Sequence, residues 1–343
     1  MYAETAHTRQ HRRSTMTPGE LLKLSGAYWS SCALHAGVKL DLFTKLAEAP
    51  ATAGEIGRAT DCDLRGITML LDALAGLELL AKQGERYEAT PFSADYLSKK
   101  SERYLGHIIL HHHHLMDGWT RLDQAVRNGR PTWSGPSHSQ DDSVRESFLM
   151  GMFNMANQSA PLITPAIDLS ARKRLLDLGG GPGTYAIHFC RHNPQLRAVV
   201  FDLPSTRPIA ERTVANAGLA ERISFQAGDI TSDPIAGGFD VLWVSQLLHG
   251  EGPASAAAIL KKGVRALLPG GLVLVQEFIL EDSRTAPLFP ALFSLNMLVN
   301  TTEGQSYSQG ELSRMLAEAG VRDIRRLELE LPSGAGIITG VAG

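Results

Sequence analysis

The segment Arg174–Gly183, which reads Arg-Leu-Leu-Asp-Leu-Gly-Gly-Gly-Pro-Gly, constrains the fold of this chain more than any other stretch. Its apolar start is typical of a buried strand, and a helical stretch, Thr184–His192, follows the glycines. A strand, a tight glycine turn and a helix in this order let backbone approach a ligand closely at the carboxyl end of a parallel strand. Many nucleotide folds share such glycines. Here, however, Asp177 stands two residues before the first glycine and no P-loop Lys-Ser/Thr follows, which argues against a nucleoside triphosphate.

Two further apolar runs also lead to acids. Residues 196–203 predict a second buried strand that carries Asp202 near its end, 25 residues after Asp177. A βαβ unit places the carboxylate that binds ribose hydroxyls at about this distance. Residues 223–225 predict a third strand and lead to Asp229, which would reach the exocyclic amine of an adenine. Each acid alone could be a helix N-cap or a turn residue, but three at strand ends favour one crevice for a nucleoside-containing cofactor.

Composition and charge argue against several classes of function. The 343 residues suffice for two domains, and the formal net charge of −3 gives no electrostatic reason to expect nucleic acid or an anionic membrane. The three cysteines form no CxxC pair, which favours a reducing compartment. No apolar run reaches the ~18 residues of a membrane span, and the polar first residues lack a signal-peptide core. We therefore expect a cytoplasmic protein without a membrane partner, and residues 1–15 are predicted to be disordered.

Residues 16–100 predict a helical domain with a small hairpin. Apolar residues recur at helical spacing, Thr52 begins a short helix with a capping box, and Asp63 caps another helix. Together with the hairpin predicted over 79–89, this order of helices is that of a winged helix, so DNA binding is a candidate function. The would-be recognition helix, residues 64–77, carries one arginine against one aspartate, whereas phosphate binding needs clustered Lys and Arg. Its many apolar positions favour burial against a partner subunit instead.

Residues 101–165 predict linker helices that contribute to a pocket. Four consecutive histidines, His111–His114, point around a helix, whereas metal ligands on a helix need i, i+3 or i, i+4 spacing. His107 and His111 do satisfy that spacing, so a metal site remains an alternative to the preferred interpretation, an interfacial helix and no metal. Phe153 and Met155 lie in a stretch rich in Met and Phe that is either core or an adaptable wall for a flat ligand.

Strand and helix patterns alternate from Arg174 onwards. The later predicted elements are a strand over Phe239–Ser245, a helix over Ala254–Leu268, a strand over Gly271–Phe278, a helix over Ser308–Ala319, and strands over Arg325–Leu331 and Gly336–Val341. The closely spaced terminal strands fit a reversed last strand on an otherwise parallel sheet.

The glycine segment resembles the first motif of S-adenosylmethionine-dependent methyltransferases, and two later strands run into residues suited to that chemistry. His249 follows Phe239–Ser245, and Glu277 lies at the end of Gly271–Phe278. A phenol with a pKa near ~10 is mostly protonated at neutral pH, so a base must remove its proton as it attacks a methyl group. A neutral histidine suits this role when a carboxylate on its other ring nitrogen fixes the tautomer. A capping or core role for His249 and a structural salt bridge for Glu277 are the alternatives.

A family resemblance covers Pro18–Gly343. The chain resembles the small-molecule O-methyltransferases typified by plant caffeate and bacterial acetylserotonin- or hydroxyneurosporene-type enzymes. The motifs that carry the resemblance are Asp-Leu-Gly-Gly-Gly-Pro-Gly (177–183), Phe-Asp-Leu-Pro (201–204), Gly-Asp-Ile (228–230), Leu-Leu-His (247–249), Pro-Gly-Gly (269–271) and Gln-Glu (276–277). It implies an α/β fold, with a Rossmann-like class I methyltransferase domain over 166–343 whose seven-stranded sheet has a reversed last strand. An α-rich winged-helix dimerisation domain would precede it.

The resemblance also implies ligands and a site. It implies S-adenosylmethionine as cofactor, S-adenosylhomocysteine as product, a small-molecule acceptor with a phenolic hydroxyl, and a homodimer formed through the N-terminal domain. His249 would be the base and Glu277 would orient it. The implied cofactor-binding residues are Asp177, Gly179, Gly181, Gly183, Asp202, Leu203, Gly228, Asp229, Ile230 and Ser245. The acceptor pocket implied by the resemblance is formed by Met297, Asn300 and Thr301, and Phe153 and Met155 are added to it as the adaptable wall.

Two departures from the family pattern bear on the acceptor. The family often continues its histidine as His-Asp-Trp, whereas here Gly250 and Glu251 follow His249. A second acid that many members carry after a Gly-Gly pair is replaced by Ser306, and Glu251 and Tyr307 are the candidates for part of its role. Substrate identity therefore does not transfer from the plant enzymes.

Three rival functions remain open at this stage. The same fold could methylate carbon or nitrogen, since proximity alone can drive transfer to an already nucleophilic atom. A protein that binds S-adenosylmethionine without transferring its methyl group is the second rival, and the His249–Glu277 pair argues against it. A DNA-binding regulator is the third, and it would shift a labelled duplex in a salt-sensitive way.

Overall fold

The computed structural model describes residues 16–132 and 142–343, without the side chain of Asp142. Residues 1–15, for which the sequence predicts disorder, lie outside the described ranges. The chain divides into two compact units after Ser98. Within the described ranges, no helix has both the length and the apolar character needed to cross a bilayer.

The first unit consists of six helices and a small sheet in its described part. Its elements are α1 (Pro18–Gly26), α2 (Tyr28–Lys39), α3 (Leu42–Glu48), β1 (Ala51–Thr52), α4 (Ala53–Thr60), α5 (Leu64–Gly76), β2 (Leu80–Gln83), β3 (Arg86–Ala89) and α6 (Pro91–Leu97). The sheet order is β1-β3-β2, and β2 and β3 form the predicted hairpin. Thr52 caps α4 through a capping box and Asp63 caps α5, as predicted, because each side chain accepts a hydrogen bond from a backbone N–H three residues on.

The first two helices of this unit expose large apolar side chains. No residue of α1 is buried. The large apolar side chains exposed on α1 and α2 are Leu21, Leu22, Leu24, Tyr28 and Trp29. An apolar patch of this size is typical of a surface that another protein chain covers.

The second unit is a three-layer α/β structure preceded by helices. Its elements are α7 (Gly106–Trp119), α8 (Leu122–Asn128), α9 (Asp142–Ile163), β4 (Arg174–Leu178), α10 (Thr184–His192), β5 (Arg197–Asp202), α11 (Arg207–Asn216), β6 (Ile223–Ala227), β7 (Phe239–Ser245), α12 (Pro253–Arg265), β8 (Leu267–Phe278), α13 (Leu288–Asn300), α14 (Gln309–Glu318), β9 (Val321–Arg326) and β10 (Ala335–Ala342). The sheet order is β6-β5-β4-β7-β8-β10-β9. The first five strands in that order are parallel, whereas β10 is antiparallel to both of its neighbours. The predicted seven-stranded sheet with a reversed last strand is thereby confirmed.

Alternation along the central strands builds a hydrophobic core on each face of the sheet. Leu242 of β7 belongs to the core that includes Ile259 of α12. The adjacent Trp243 belongs to the other core, where its ring lies 5.0 Å from that of Phe189 in α10. Because successive strand side chains point to opposite faces, one apolar run supplies both cores. This burial fixes the strand ends that carry the polar residues of the site.

Two predicted boundaries were wrong. The strand predicted over Arg325–Leu331 lies at Val321–Arg326, because Gly320 ends the preceding helix in the left-handed region (φ +90°) and the chain turns directly into the strand. The helix predicted to reach Leu268 ends at Arg265. β8 then begins at Leu267, so the Pro-Gly-Gly motif lies inside the strand, where its pairing with β7 shifts register.

Candidate active site

The carboxyl ends of β4 to β8 meet at one edge of the sheet. In strand order, this edge carries the segment after β6, then Asp202 of β5, the glycine turn after β4, Ser245 of β7 and Glu277 of β8. Open α/β sheets bind ligands in the crevice outside this edge. The predicted catalytic and cofactor-binding residues therefore lie at or beside a single edge.

The glycine turn needs the backbone freedom of glycine. Gly179, Gly181 and Gly183 have φ values of +67°, +52° and +76°, which side chains disfavour. A Cβ on Gly181 would meet nothing within 4 Å, so space lies open on that side of the turn. A Cβ on Gly180 would lie 2.5 Å from the carboxyl carbon of Asp177. The turn is thus tight on its inner side and open on its outer side, as a ligand cradle requires.

Asp177 lies under the turn and does not face the open space. Its side chain is 1% exposed and accepts a 3.2 Å hydrogen bond from the N–H of Ala186 in α10. Burial raises the pKa of Asp177 to about 7. We therefore expect Asp177 to support the glycine turn and the N-terminus of α10 from below.

Asp202 joins the glycine turn to the end of β5. Its carboxylate accepts hydrogen bonds of 2.7 Å from the N–H groups of Gly181 and Leu203, and one of 3.1 Å from the Thr206 hydroxyl. Burial raises the pKa of Asp202, and these three donors counteract the rise by favouring the carboxylate. The carboxylate therefore lies beside Gly181, whose outer side is open.

The loop after β6 carries the third predicted acid and is held in place by a lysine of α12. The Asp229 carboxylate accepts hydrogen bonds from the N–H and the hydroxyl of Thr231, at 2.8 and 2.6 Å. Lys262 of α12 donates to the carbonyls of Ile230 and Asp233, at 2.7 and 3.0 Å. Sequence reasoning missed Lys262, because a single lysine on a helix gives no signal of the loop that it reaches.

Ser245 ends β7 beside a buried glutamine. Its hydroxyl donates a 2.9 Å hydrogen bond to the side-chain oxygen of Gln276, which is 2% exposed. The two strands are neighbours, so the contact crosses the sheet edge between the glycine turn and Glu277.

His249 and Glu277 form a hydrogen-bonded pair, as predicted from the adjacent strands. The Nδ1 atom of His249 lies 2.7 Å from Oε2 of Glu277, whose side chain is 1% exposed. The other carboxylate oxygen, Oε1, accepts hydrogen bonds of 2.9 and 2.8 Å from the N–H groups of Leu247 and Leu248. One buried carboxylate thus fixes both the imidazole and the short helical turn that carries it. With its proton on Nδ1, the ring presents Nε2 as an acceptor.

Aromatic rings surround the histidine. The ring of Phe293, on α13, meets the imidazole edge to face with centroids 4.8 Å apart, and the ring of Phe278 is stacked with it at 6.3 Å. Phe289 packs on Phe278 at 4.9 Å. Sequence reasoning missed these phenylalanines, because Phe289 and Phe293 have the spacing of any apolar helix and Phe278 ends an ordinary apolar strand.

The residues predicted for the acceptor pocket fall on two helices. Met297 and Asn300 are buried on α13, and the Thr301 hydroxyl, just after it, donates to the carbonyl of Met297 at 2.8 Å. Phe153 and Met155 lie on α9, and Phe153 lines a cavity of about 220 Å³ between α9, α10 and α11. Met297 and Asn300 thus share a helix with Phe293, which contacts His249, whereas Phe153 and Met155 lie on another helix.

The histidine run packs as a helix surface. His111 is buried on α7, with its ring 5.3 Å from that of Phe148, and burial lowers its pKa to about 3. His112, the next residue, is exposed. Across residues 16–132 and 142–343, no three His, Cys, Asp or Glu side chains are grouped so that they could hold a metal ion.

Comparison with known proteins identifies relatives of both units. The model of the O-methyltransferase domain matches residues 119–322, and that of the O-methyltransferase dimerisation domain matches residues 22–99. The chain is 32% identical to 3-hydroxy-5-methyl-1-naphthoate 3-O-methyltransferase of Streptomyces sahachiroi, over 94% of this chain and 95% of the relative. It is 33% identical to the tetracenomycin polyketide synthesis 8-O-methyl transferase TcmO of Streptomyces glaucescens, over 92% and 94%. The crystal structure of human N-acetylserotonin methyltransferase in complex with SAM superposes with a TM-score of 0.86 at 27% identity, covering 96% of this chain and 99% of that one.

Proposed function

This chain belongs to the O-methyltransferase family and uses S-adenosylmethionine as its methyl donor, and we propose that it methylates a phenolic hydroxyl of a small aromatic acceptor with His249 as general base. The observation that carries the proposal is the 2.7 Å contact between His249 Nδ1 and the buried Glu277 carboxylate. A dyad of this kind leaves Nε2 free to take a proton, and the carboxylate stabilises the imidazolium that forms.

The cofactor-binding residues are assigned by their position at the sheet edge. Asp202 would hold the ribose hydroxyls, Asp229 the adenine, and the open side of the glycine turn the methionine moiety. When bound, S-adenosylmethionine supplies an electrophilic methyl group on a sulfonium. Asp177 would hold the turn in shape from below, and the other residues assigned here are Gly179, Gly181, Gly183, Leu203, Gly228, Ile230 and Ser245.

The chain's own residues then handle the acceptor proton. His249 Nε2 would accept the proton of the acceptor hydroxyl as the oxygen attacks, and Glu277 would hold the imidazole in the tautomer that permits this. The Phe278, Phe289 and Phe293 rings offer a flat apolar surface against which an aromatic acceptor can stack. Met297, Asn300 and Thr301, on or just after α13, and Phe153 and Met155 of α9 are the proposed lining of the rest of the acceptor pocket. A relative named for a naphthoate supports an aromatic acceptor.

The exposed face of α1 and α2 supports a homodimer. Five large apolar side chains of these helices are exposed, and all of them except Leu21 lie within the region that matches the dimerisation domain. A second copy of the chain would bury them.

All three cysteines are unpaired thiols, which favours a reducing compartment such as the cytoplasm.

Replacing Phe293 by alanine tests the aromatic surface. We expect the KM of an aromatic acceptor to rise about tenfold, because stacking and apolar burial at one ring contribute one to two kcal/mol. The dissociation constant of S-adenosylhomocysteine, measured by calorimetry, should stay within twofold. Leu268→Ala, at the opposite edge of the same sheet, is the control. A variant that loses cofactor affinity and keeps its acceptor KM would contradict this assignment.

The proposed reaction is tested by product analysis. The protein is incubated with labelled S-adenosylmethionine and a panel of hydroxy- and amino-substituted naphthoates, and products are identified by mass and by the position of the label. A methyl ether supports the proposal. A methylated nitrogen or carbon, or cofactor binding without transfer to any member, supports one of the rival functions.

A further inference from the structure

The turn that carries His249 is fixed at both ends by different side chains. At its start, Glu277 accepts hydrogen bonds from the Leu247 and Leu248 N–H groups. At its end, the hydroxyl of Tyr307 donates a 2.5 Å hydrogen bond to the carbonyl of Glu251, two residues after His249. None of the roles assigned above involves this hydrogen bond between Tyr307 and Glu251.

We propose that Tyr307 is a positioning residue for the catalytic base, acting through the Glu251 carbonyl to hold the His249 turn against the sheet edge. This inference rests on the proposed function, since it concerns how His249 is aimed. It follows from three observations: the burial of Tyr307, the way in which its backbone is anchored, and the close packing of its segment on the turn.

Burial makes the Tyr307 hydroxyl a dependable donor. The side chain is 1% exposed, and a backbone carbonyl can only accept, so the hydrogen must come from the tyrosine. Burial also raises the pKa of Tyr307, which favours the protonated hydroxyl that donates this bond. Without that donor, the Glu251 carbonyl would lose its hydrogen-bond partner at the end of the turn.

The backbone of Tyr307 is tied to the strand that carries Glu277. Leu280, two residues beyond β8, donates to the Tyr307 carbonyl at 3.0 Å and accepts from Gln309 at 3.2 Å. Arg284 donates to the neighbouring Ser306 carbonyl at 3.0 Å and is paired with Glu311. The end of β8 therefore fixes both ends of the turn that carries His249. Glu277 holds the start of the turn directly, and Tyr307 holds its end through the hydrogen bonds to Leu280.

The segment before Tyr307 packs directly on the turn. A Cβ on Gly304 would lie 2.5 Å from the carbonyl oxygen of His249, so only glycine permits this approach. The Ser306 hydroxyl donates to the Pro290 carbonyl at 2.8 Å, and its N–H donates to Ser294 at 3.1 Å. These contacts hold the start of α13, the helix that carries Phe293 against the imidazole.

The side chain of Glu251 does not take part in this positioning. Its carboxylate accepts a 2.6 Å hydrogen bond from the Ser255 hydroxyl in α12. Of the two candidates for the role of the missing second acid, the contacts favour Tyr307, which reaches the turn through the Glu251 backbone.

The test uses two phenolic acceptors of similar shape and different acidity. A naphthol with a pKa near ~10 needs the base, whereas a nitrated analogue with a pKa near ~7 is largely ionised at pH 8 and does not. For Tyr307→Phe we expect kcat to fall about tenfold with the naphthol, the equivalent of one hydrogen bond. With the nitrated analogue the fall should be less than twofold, and the affinity for S-adenosylhomocysteine should be unchanged.

Controls separate positioning from general damage. Tyr87→Phe removes a buried hydroxyl from the first unit, where it donates to Asp72, and should leave both rates unchanged. An equal loss with both acceptors, or no loss with either, would overturn the inference. His249→Ala is measured alongside. If that variant keeps its rate with the naphthol, the base assignment itself fails, whatever Tyr307→Phe shows.

Discussion

Replacing His249 by alanine should lower kcat for a phenolic acceptor by about 10²- to 10⁴-fold, the range that a general base contributes. The imidazole is the basic group that the structure places, through Glu277, at the sheet edge beside the Phe293 ring. Affinity for S-adenosylhomocysteine should stay within a few-fold, because His249 is not among the residues assigned to the cofactor. Rates are measured by label transfer and affinities by calorimetry.

The control for this variant is His192→Ala, which removes an exposed histidine at the end of α10. Its rate should match that of the unmodified protein. A His249→Ala variant that turns over within about threefold of the unmodified protein would show that the imidazole is not the base.

Replacing Asp202 by alanine should have its largest effect on the cofactor. Its carboxylate accepts from the Gly181 and Leu203 N–H groups and is the assigned ribose ligand. Hydrogen bonds to a charged group contribute ~1.5–3 kcal/mol each, so loss of two ribose contacts should weaken S-adenosylhomocysteine binding about 100-fold or more. Loss of the Gly181 contact would also loosen the turn and add to this effect.

Asp240→Ala is the matched control for Asp202→Ala. Asp240 also accepts two backbone hydrogen bonds, from Lys173 and Arg174, but it lies at the start of β7, at the opposite edge of the sheet. Its loss should reduce thermal stability and leave cofactor affinity unchanged. Similar affinity losses in both variants would mean that Asp202 acts only on the fold.

Much of the site could be predicted because parallel strands bring their carboxyl ends together. The acids Asp177 and Asp202 and the pair His249 and Glu277 each follow an apolar run, and the topology alone places them at one edge. The sequence did not reveal that Asp177 would lie under the glycine turn, since that depends on the left-handed conformations of Gly179 and its neighbours.

The remaining features depend on packing that periodicity does not encode. Phe293 and Phe278 read as ordinary core residues, and only the angle between α13 and β8 brings them onto the imidazole. Phe153 lines a cavity that α9 forms with α10 and α11, and the periodicity of α9 does not indicate which helices that face meets. The contact of Tyr307 with the Glu251 carbonyl joins residues 56 positions apart and involves a backbone atom, so no side-chain motif in the sequence indicates it.

The measurement that tests the central claim most directly is the pH dependence of kcat with a phenol of pKa near ~10, in the unmodified protein and in His249→Ala. If His249 removes the proton, kcat of the unmodified protein is already high at neutral pH and does not follow the ionisation of the phenol. The variant should instead be slow at neutral pH and rise tenfold per pH unit toward the pKa of the phenol itself. If both proteins follow the ionisation of the phenol alone, the enzyme merely selects the phenolate, and the role assigned to the His249–Glu277 pair is contradicted.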